Sequence, residues 1–257
     1  MIIRDIAAQI DRVVVGLHYA TVARHHADLE PLADAVGIEE REQFWDLAEF
    51  LVVGACTTEI ARRRFPYDSG DDAAVMFRKL REGLYLDDAM RPNAVLHELA
   101  STILAAQAET AEEVWPGDLS GVQVPADQAY RAADGPLVDA FRALPVPDAP
   151  GHRLLHTLTG VRYGRHDAHI DAWASFGLSG LDVVALGSAV NGEVLAEVPA
   201  ALLESGWVDR GGNLTAAGRE ARLAIETKTD EGCRSMYDAV GELSSWYEAL
   251  RAMPGQV

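Results

Sequence analysis

The chain has 257 residues, 49% of them hydrophobic, and a formal net charge of -18 at pH 7. A surface this acidic opposes nucleic-acid phosphates, which are bound by Lys and Arg that displace counterions, and it opposes anionic membranes for the same reason. No apolar run reaches the roughly 18 residues of a spanning helix, and Cys56 and Cys233 are too few for a disulfide framework or a zinc ribbon.

The first predicted element is a helix over residues 2 to 27. Ile3, Ile6, Ile10, Val13, Val14 and Leu17 recur at helical spacing, and His18 and Tyr19 follow on that stripe. Arg4, Asp5, Asp11 and Arg12 interrupt it in a way that the apolar segment of a signal peptide does not tolerate, so the expected location is the cytoplasm. A second helix is expected from Glu39 to Phe65, with Cys56 in its packed face, ending at the turn Pro66 to Gly70. Further helices fit residues 71–85, 92–113 and 134–143, the last ahead of the loop PVPDAPG. No stretch alternates long enough to form a sheet. Residues 1–150 therefore predict an all-helical bundle.

Residues 151–177 carry a polar cluster on a central helix or helix pair. Leu155, Leu158, Arg162, Arg165, His169 and Trp173 recur at spacings of three and four, so one face begins apolar, turns cationic and ends on an aromatic ring. Gly164 is a candidate break, and Asp167 a candidate cap for a following helix. Arginine is costly to bury without an anion. One reading supplies it from Asp167, Asp171, Glu98 or another acidic residue, as a structural ion-pair network. The other supplies part of it from a carboxylate, phosphate or sulfate on a ligand, which a guanidinium meets as a planar fork. On that reading Arg162 and Arg165 hold the substrate, and His169 moves a proton with Asp167 orienting or charging it. His18, Tyr19, His156 and Trp173 are the further candidates for the pocket wall, although a lone His on an apolar stripe, such as His18, also suits a core. Trp45 and Phe77 suit a core first, as do Tyr19 and Trp173, and only as a set do the four fit an apolar pocket wall.

No metal or other cofactor is expected. His152 and His156 in HRLLH stand four residues apart, and His166 and His169 three, but Arg153 occupies the place of the general-base Glu of a zinc protease. The paired Glu-x-x-His motifs of di-iron bundles are missing, His97-Glu98 being the one fragment.

From residue 178 to 257 the order changes to helix, turn at Asn191-Gly192, helix, short hairpin and helix. The hairpin is expected to pair Trp207–Val208 with Asn213–Leu214, and Thr215 to cap the following helix. That order is a winged helix-turn-helix, with a further helix at the C-terminus. A DNA reader needs cations near its phosphate-facing ends and polar side chains toward the bases. From Leu178 to Trp207 there are four carboxylates and no Lys, Arg or His, and the second helix, VLAEVPAALLESG, is apolar enough to be expected covered by protein on both faces. No nucleic-acid partner is expected from this segment.

The stretches Leu17-His18-Tyr19, Phe44-Trp45, Arg162-x-x-Arg165-x-Asp167-x-His169, Gly177-Leu178-Ser179-Gly180, Leu214-Thr215-Ala216-Ala217-Gly218-Arg219 and Thr229-Asp230 together resemble an actinobacterial family of helix-turn-helix-domain proteins of unknown function. The resemblance implies a helical N-terminal domain followed by a MarR-like winged helix, and it implies that Arg162, Arg165, Asp167 and His169 act together. It carries no reaction with it. The fold class is thus mostly α: an N-terminal helical bundle with a C-terminal winged helix-turn-helix-like domain. No dinucleotide fingerprint, P-loop or nucleophile elbow is present. The functional expectation is a cofactor-independent tailoring enzyme of small-molecule metabolism. Its chemistry would be cyclisation, elimination, isomerisation or displacement of an anionic leaving group, on a small anionic substrate. The alternatives are a ligand-sensing or accessory protein, homodimeric or bound to a biosynthetic partner, and a winged-helix transcriptional regulator.

Overall fold

The structure, a computed structural model, describes residues 2–35, 48, 57, 60, 63 and 94–254. Apart from four single residues, the expected helix from Glu39 to Phe65 lies outside them. So do the turn at 66–70, the helix at 71–85 and the surroundings of Cys56, Trp45 and Phe77. Among the described residues all regular structure is helical, with one isolated antiparallel bridge between Val208 and Leu214. None of their helices is long and apolar enough to cross a membrane.

Helix α1 (Ile2–Ala35) buries Ile6, Ile10, Val13, Val14 and Leu17, as the spacing required, and runs on past its expected end to bury Leu29. Helix α2 (Ala94–Val114) packs against it. Helix α3 (Ser120–Ala132) was not foreseen: Gly121 and Pro125 hide a stripe of Val122, Ala126 and Ala129 that is fully buried. The short α4 (Pro136–Phe141) replaces the longer helix expected there.

Helix α5 (Pro150–Ala174) is continuous through Gly164, so the central segment is one helix. Most of it is buried, with α1, α2, α3 and α4 packed round it together with α8 (Ala216–Gly232). A helix surrounded in this way has apolar or small residues all round rather than a single stripe. Its entry is set by two contacts. The carbonyl of Ala111 sits where a side chain on Gly151 would be, and the Glu112 carboxylate accepts the His152 N–H at 2.9 Å, a negative charge at a helix N-terminus.

The remaining elements are α6 (Gly180–Val190), α7 (Ala200–Glu204), α9 (Arg234–Asp238) and α10 (Leu243–Ala252). They divide between two cores. Val183, Leu186, Leu202, Val208 and Ile225 pack with Ile170 and Trp173 at the far end of α5. Met236, Tyr237, Trp246 and Leu250 return instead to the larger core built on α1 and the first turns of α5. Arg12 fixes that return by donating to the carbonyls of Leu250 and Met253 at the end of α10. The segment expected as one unit over 178–257 therefore splits near Cys233.

Gly151→Ala tests the entry of α5. Alanine would favour an unconstrained helix by up to about 1 kcal/mol, but here the added methyl meets a backbone carbonyl that cannot rotate away. The expected net loss is about 1–3 kcal/mol, read as a lower urea midpoint with unchanged slope.

Candidate functional site

Arg162, Arg165 and His169 share one face of α5, and that face meets α1 and α8 across a cleft of about 450 Å³. Arg4 and Asp11 of α1, Arg222 and Glu226 of α8, and Tyr237 of α9 line it too. The arginines find their anions within the chain. Arg165 donates to Asp230 at 2.8 Å and to Glu226 at 2.9 Å. Arg4 reaches the other oxygen of Asp230 at 2.6 Å, and Arg222 the other oxygen of Glu226 at 2.7 Å. Arg162 donates through Nε to Asp11 at 2.8 Å. Four guanidinium groups thus face three carboxylates, which leaves one positive charge in excess within the network. Among the described residues the terminal nitrogens of Arg162 have no hydrogen-bond partner.

His169 is held in one tautomer. Its Nδ1 lies 3.0 Å from Thr229 Oγ1, and that hydroxyl already donates to the Ile225 carbonyl at 2.9 Å. With one hydrogen to give, Thr229 accepts the Nδ1–H, and the lone pair is left on Nε2. Burial pushes the imidazole down to about 4, with Arg222 and Arg165 acting in the same direction against Glu226. The ring is neutral at pH 7. Tyr237, also in the cleft wall, is buried, its hydroxyl has no hydrogen-bond partner, and burial pushes its ionisation well above the ordinary range, so it stays a donor.

Asp167 does not assist His169. Two residues along a helix is more than half a turn, which sends the two side chains to opposite sides. Asp167 instead accepts the Leu137 N–H at 2.9 Å, capping α4, and pairs with Arg63 at 3.0 Å. Burial pushes its carboxyl up to about 6. The other expected wall residues are also elsewhere. His156 packs between Tyr130 and Phe141, Trp173 belongs to the smaller core, and Tyr19 is 59% exposed on α1 beside His18. None of the four lines the cleft. No group of three or more His, Cys, Asp or Glu able to hold a metal ion occurs among the described residues.

Beyond the cleft, α6 begins on a capping box of Ser179 and Asp182 and ends at Asn191-Gly192. Five-residue α7 follows, and the chain then doubles back through the Val208–Leu214 bridge, whose tip is tied by Asp209 accepting the N–H groups of Gly211 and Asn213. Thr215 caps α8 by accepting the Gly218 N–H at 3.0 Å. The chain belongs to a helix-turn-helix family. The family's sequence pattern matches residues 86–254, a span that holds α5, α8 and α9 but not Arg4 or Asp11. No curated protein and no solved structure matches it. In this member the apolar segment before Gly206, expected to be covered by protein on both faces, is instead partly open: Val194 is 66% exposed and Leu203 38%. The segment is mostly irregular and α7 too short to shield itself.

The ion pairs differ in what they carry. Arg165→Met leaves Glu226 and Asp230 largely buried without their shared cation and should cost about 2–4 kcal/mol. Arg162→Ala removes a half-exposed pair and should cost under about 1 kcal/mol, both read by urea unfolding. Acid is the second probe. His156 and His169, neutral in the fold down to about 4, would otherwise charge near 6.5, so their contribution is complete above pH 6.5 and lost as pH falls toward 4. Asp167, raised to about 6, works in the opposite direction below pH 6. His152, lowered by burial as well, acts with the two histidines, and three groups against one predict a net loss of about 1–3 kcal/mol between pH 6.5 and 4.5, smaller in His169→Gln.

Proposed function

We propose that this protein binds a small anionic molecule in the cleft between α1, α5 and α8 and exchanges a proton with it through His169. The helix-turn-helix module then serves as a wall of that cleft and a packing surface rather than as a DNA reader. The observation that carries the reading is His169 itself: a neutral ring with Nδ1–H committed to Thr229 and the Nε2 lone pair left over, in a cleft lined with guanidinium groups. An imidazole held near 4 is a weak base while the cleft is empty. An anion placed among the arginines offsets their charge and raises the imidazole toward the range where it can hold a proton. Arg162 supplies unused donors for negative charge that develops in the reaction, and Tyr237 a buried O–H. The chemistry these groups perform on their own is that of a lyase, isomerase or cyclase, such as elimination, cyclisation or loss of an anionic leaving group, in the tailoring of small metabolites.

Family membership favours a second reading, a transcriptional regulator. Against it, residues 178–208 hold Asp182, Glu193, Glu197 and Glu204 and no cation, and α7 offers Glu204 as its one polar side chain. Phosphate contacts made by Lys and Arg supply most of the affinity for DNA. A third reading keeps the ligand and drops the turnover: exposed Leu181, Val184 and Val194 suit contact with a biosynthetic partner or a second copy.

At low ionic strength, sulfate or a small carboxylate well above its Kd should raise the thermal midpoint of the wild type by about 2–6 °C, and that of Arg162→Ala by far less. Duplex DNA should give no gel shift under the same conditions. A DNA complex at submicromolar protein with no anion effect would move the assignment to the regulator.

A further inference from the structure

Exposed apolar side chains are unevenly spread over the protein. Of the ten large ones exposed among the described residues, six lie within residues 176–203, on or beside α6 and α7. Two of these, Val194 and Leu203, belong to a surface made by the segment before α7, α7 itself and the hairpin. The Leu195 N–H donates to the Gly212 carbonyl at 3.1 Å, and a Cβ on Gly212 would lie 2.3 Å from the Leu195 carbonyl oxygen, so the segment runs hard against the hairpin tip. Leu203 and Glu204 of α7 share an open groove with Asp209 and Arg210 of the hairpin. Leu202, Val208 and Ile225 form the buried core of this module, to which Val194 and Leu203 add little.

The charged side chains of the same stretch are acidic. From Phe176 to Gly218 the chain holds Asp182, Glu193, Glu197, Glu204 and Asp209 against Arg210 alone. Asp182 is engaged in the α6 capping box and Asp209 in the hairpin tip. Glu193, Glu197 and Glu204 are exposed and have no hydrogen bond or ion pair among the described residues.

Charge and shape together select the occupant. Duplex DNA and anionic lipid carry the same sign as the surface. A second copy in a two-fold contact would lay the surface on itself, carboxylate against carboxylate. The groove is too open to enclose a small apolar molecule. An amphipathic helix with cations flanking its apolar stripe satisfies both features, since apolar anchors supply affinity and opposite charge sets partner and orientation.

We propose that the surface formed by residues 193–204 and the hairpin tip docks a protein partner through a cationic amphipathic helix. The helix lays its apolar stripe on Val194 and Leu203, and its Lys or Arg side chains meet Glu193, Glu197 and Glu204. The docking surface shares no lining residue with the anion cleft, so the two are separable.

The test uses the full chain and a fluorescent amphipathic helical peptide of Leu and Lys as the probe. Its comparators are the same peptide with Glu for Lys, and one of equal composition with the stripe scrambled. The Leu/Lys peptide should bind, more weakly as salt rises, and shift the amide resonances of residues 193–210. Both comparators should bind at least about tenfold more weakly. Val194→Ser with Leu203→Ser should weaken the Leu/Lys peptide by about tenfold through lost apolar contact. Glu193→Gln with Glu197→Gln and Glu204→Gln should lower its affinity and flatten the salt dependence. Sulfate should stabilise both variants as it does the wild type, because the cleft is untouched. Equal binding of the scrambled peptide, resonance shifts confined to other acidic surfaces, undiminished affinity in both variants, or no binding to the wild type at low salt would each overturn the proposal. A wild-type dimer in sedimentation that Leu203→Ser dissociates would assign the surface to a second copy and overturn it too.

Discussion

Asp230 joins three helices. It stands on α8, takes Arg165 of α5 on one oxygen and Arg4 of α1 on the other, and the neighbouring Glu226 repeats the arrangement with Arg165 and Arg222. Ion pairs of this kind contribute little net stability, because the desolvation of each charge consumes most of the Coulombic gain. Their effect here is on register and spacing. Small residues let α5 and α8 approach closely, with Ala168 against Gly232, whereas guanidinium and carboxylate groups meeting at their tips span the gap between α8 and α1. The cleft is the space that remains. Stability comes from the two apolar cores on either side of it, both of which α5 enters.

The same network sets the state of His169. A buried imidazole next to Arg165 and Arg222 has every reason to stay neutral, and Thr229 decides which nitrogen carries the hydrogen. The tautomer therefore comes from Thr229 of α8, and the charge state from burial with Arg222 of α8 and Arg165 of α5. A ligand that brings its own negative charge changes this balance, so that binding and proton uptake are coupled through the arginines.

How much of this the sequence discloses follows from how far each feature reaches. The stripe of Arg162, Arg165 and His169 is legible because helical spacing is local, and so is the Thr215 cap. Asp167 was misplaced because nearness in sequence suggested a pair that helical geometry forbids. The partners that complete the cleft are hidden by distance along the chain: Asp11 is 151 residues from Arg162, and Asp230 is 226 from Arg4. The one trace of them was Thr229-Asp230 in the family pattern, and the structure gives that pair its meaning, since Thr229 meets His169 and Asp230 meets Arg165. His156 and Trp173 lie on α5 as expected, but a helix packed by five neighbours has several buried faces, and periodicity alone could not say which neighbour each residue would meet. Helix α3 escaped notice because Pro125 reads as a breaker, although its missing N–H costs one hydrogen bond in a helix otherwise held by its packing.

The most direct test is a pH titration of the His169 ring by NMR with nitrogen labelling, without and with saturating phosphate. The account predicts the Nδ1–H tautomer at pH 7 and a pKa of about 4 in the free protein. It also predicts a rise of at least about one unit on adding phosphate, with no such rise in Arg162→Ala. A free-protein pKa near 6.5 that phosphate does not move, with the hydrogen on Nε2, would contradict it.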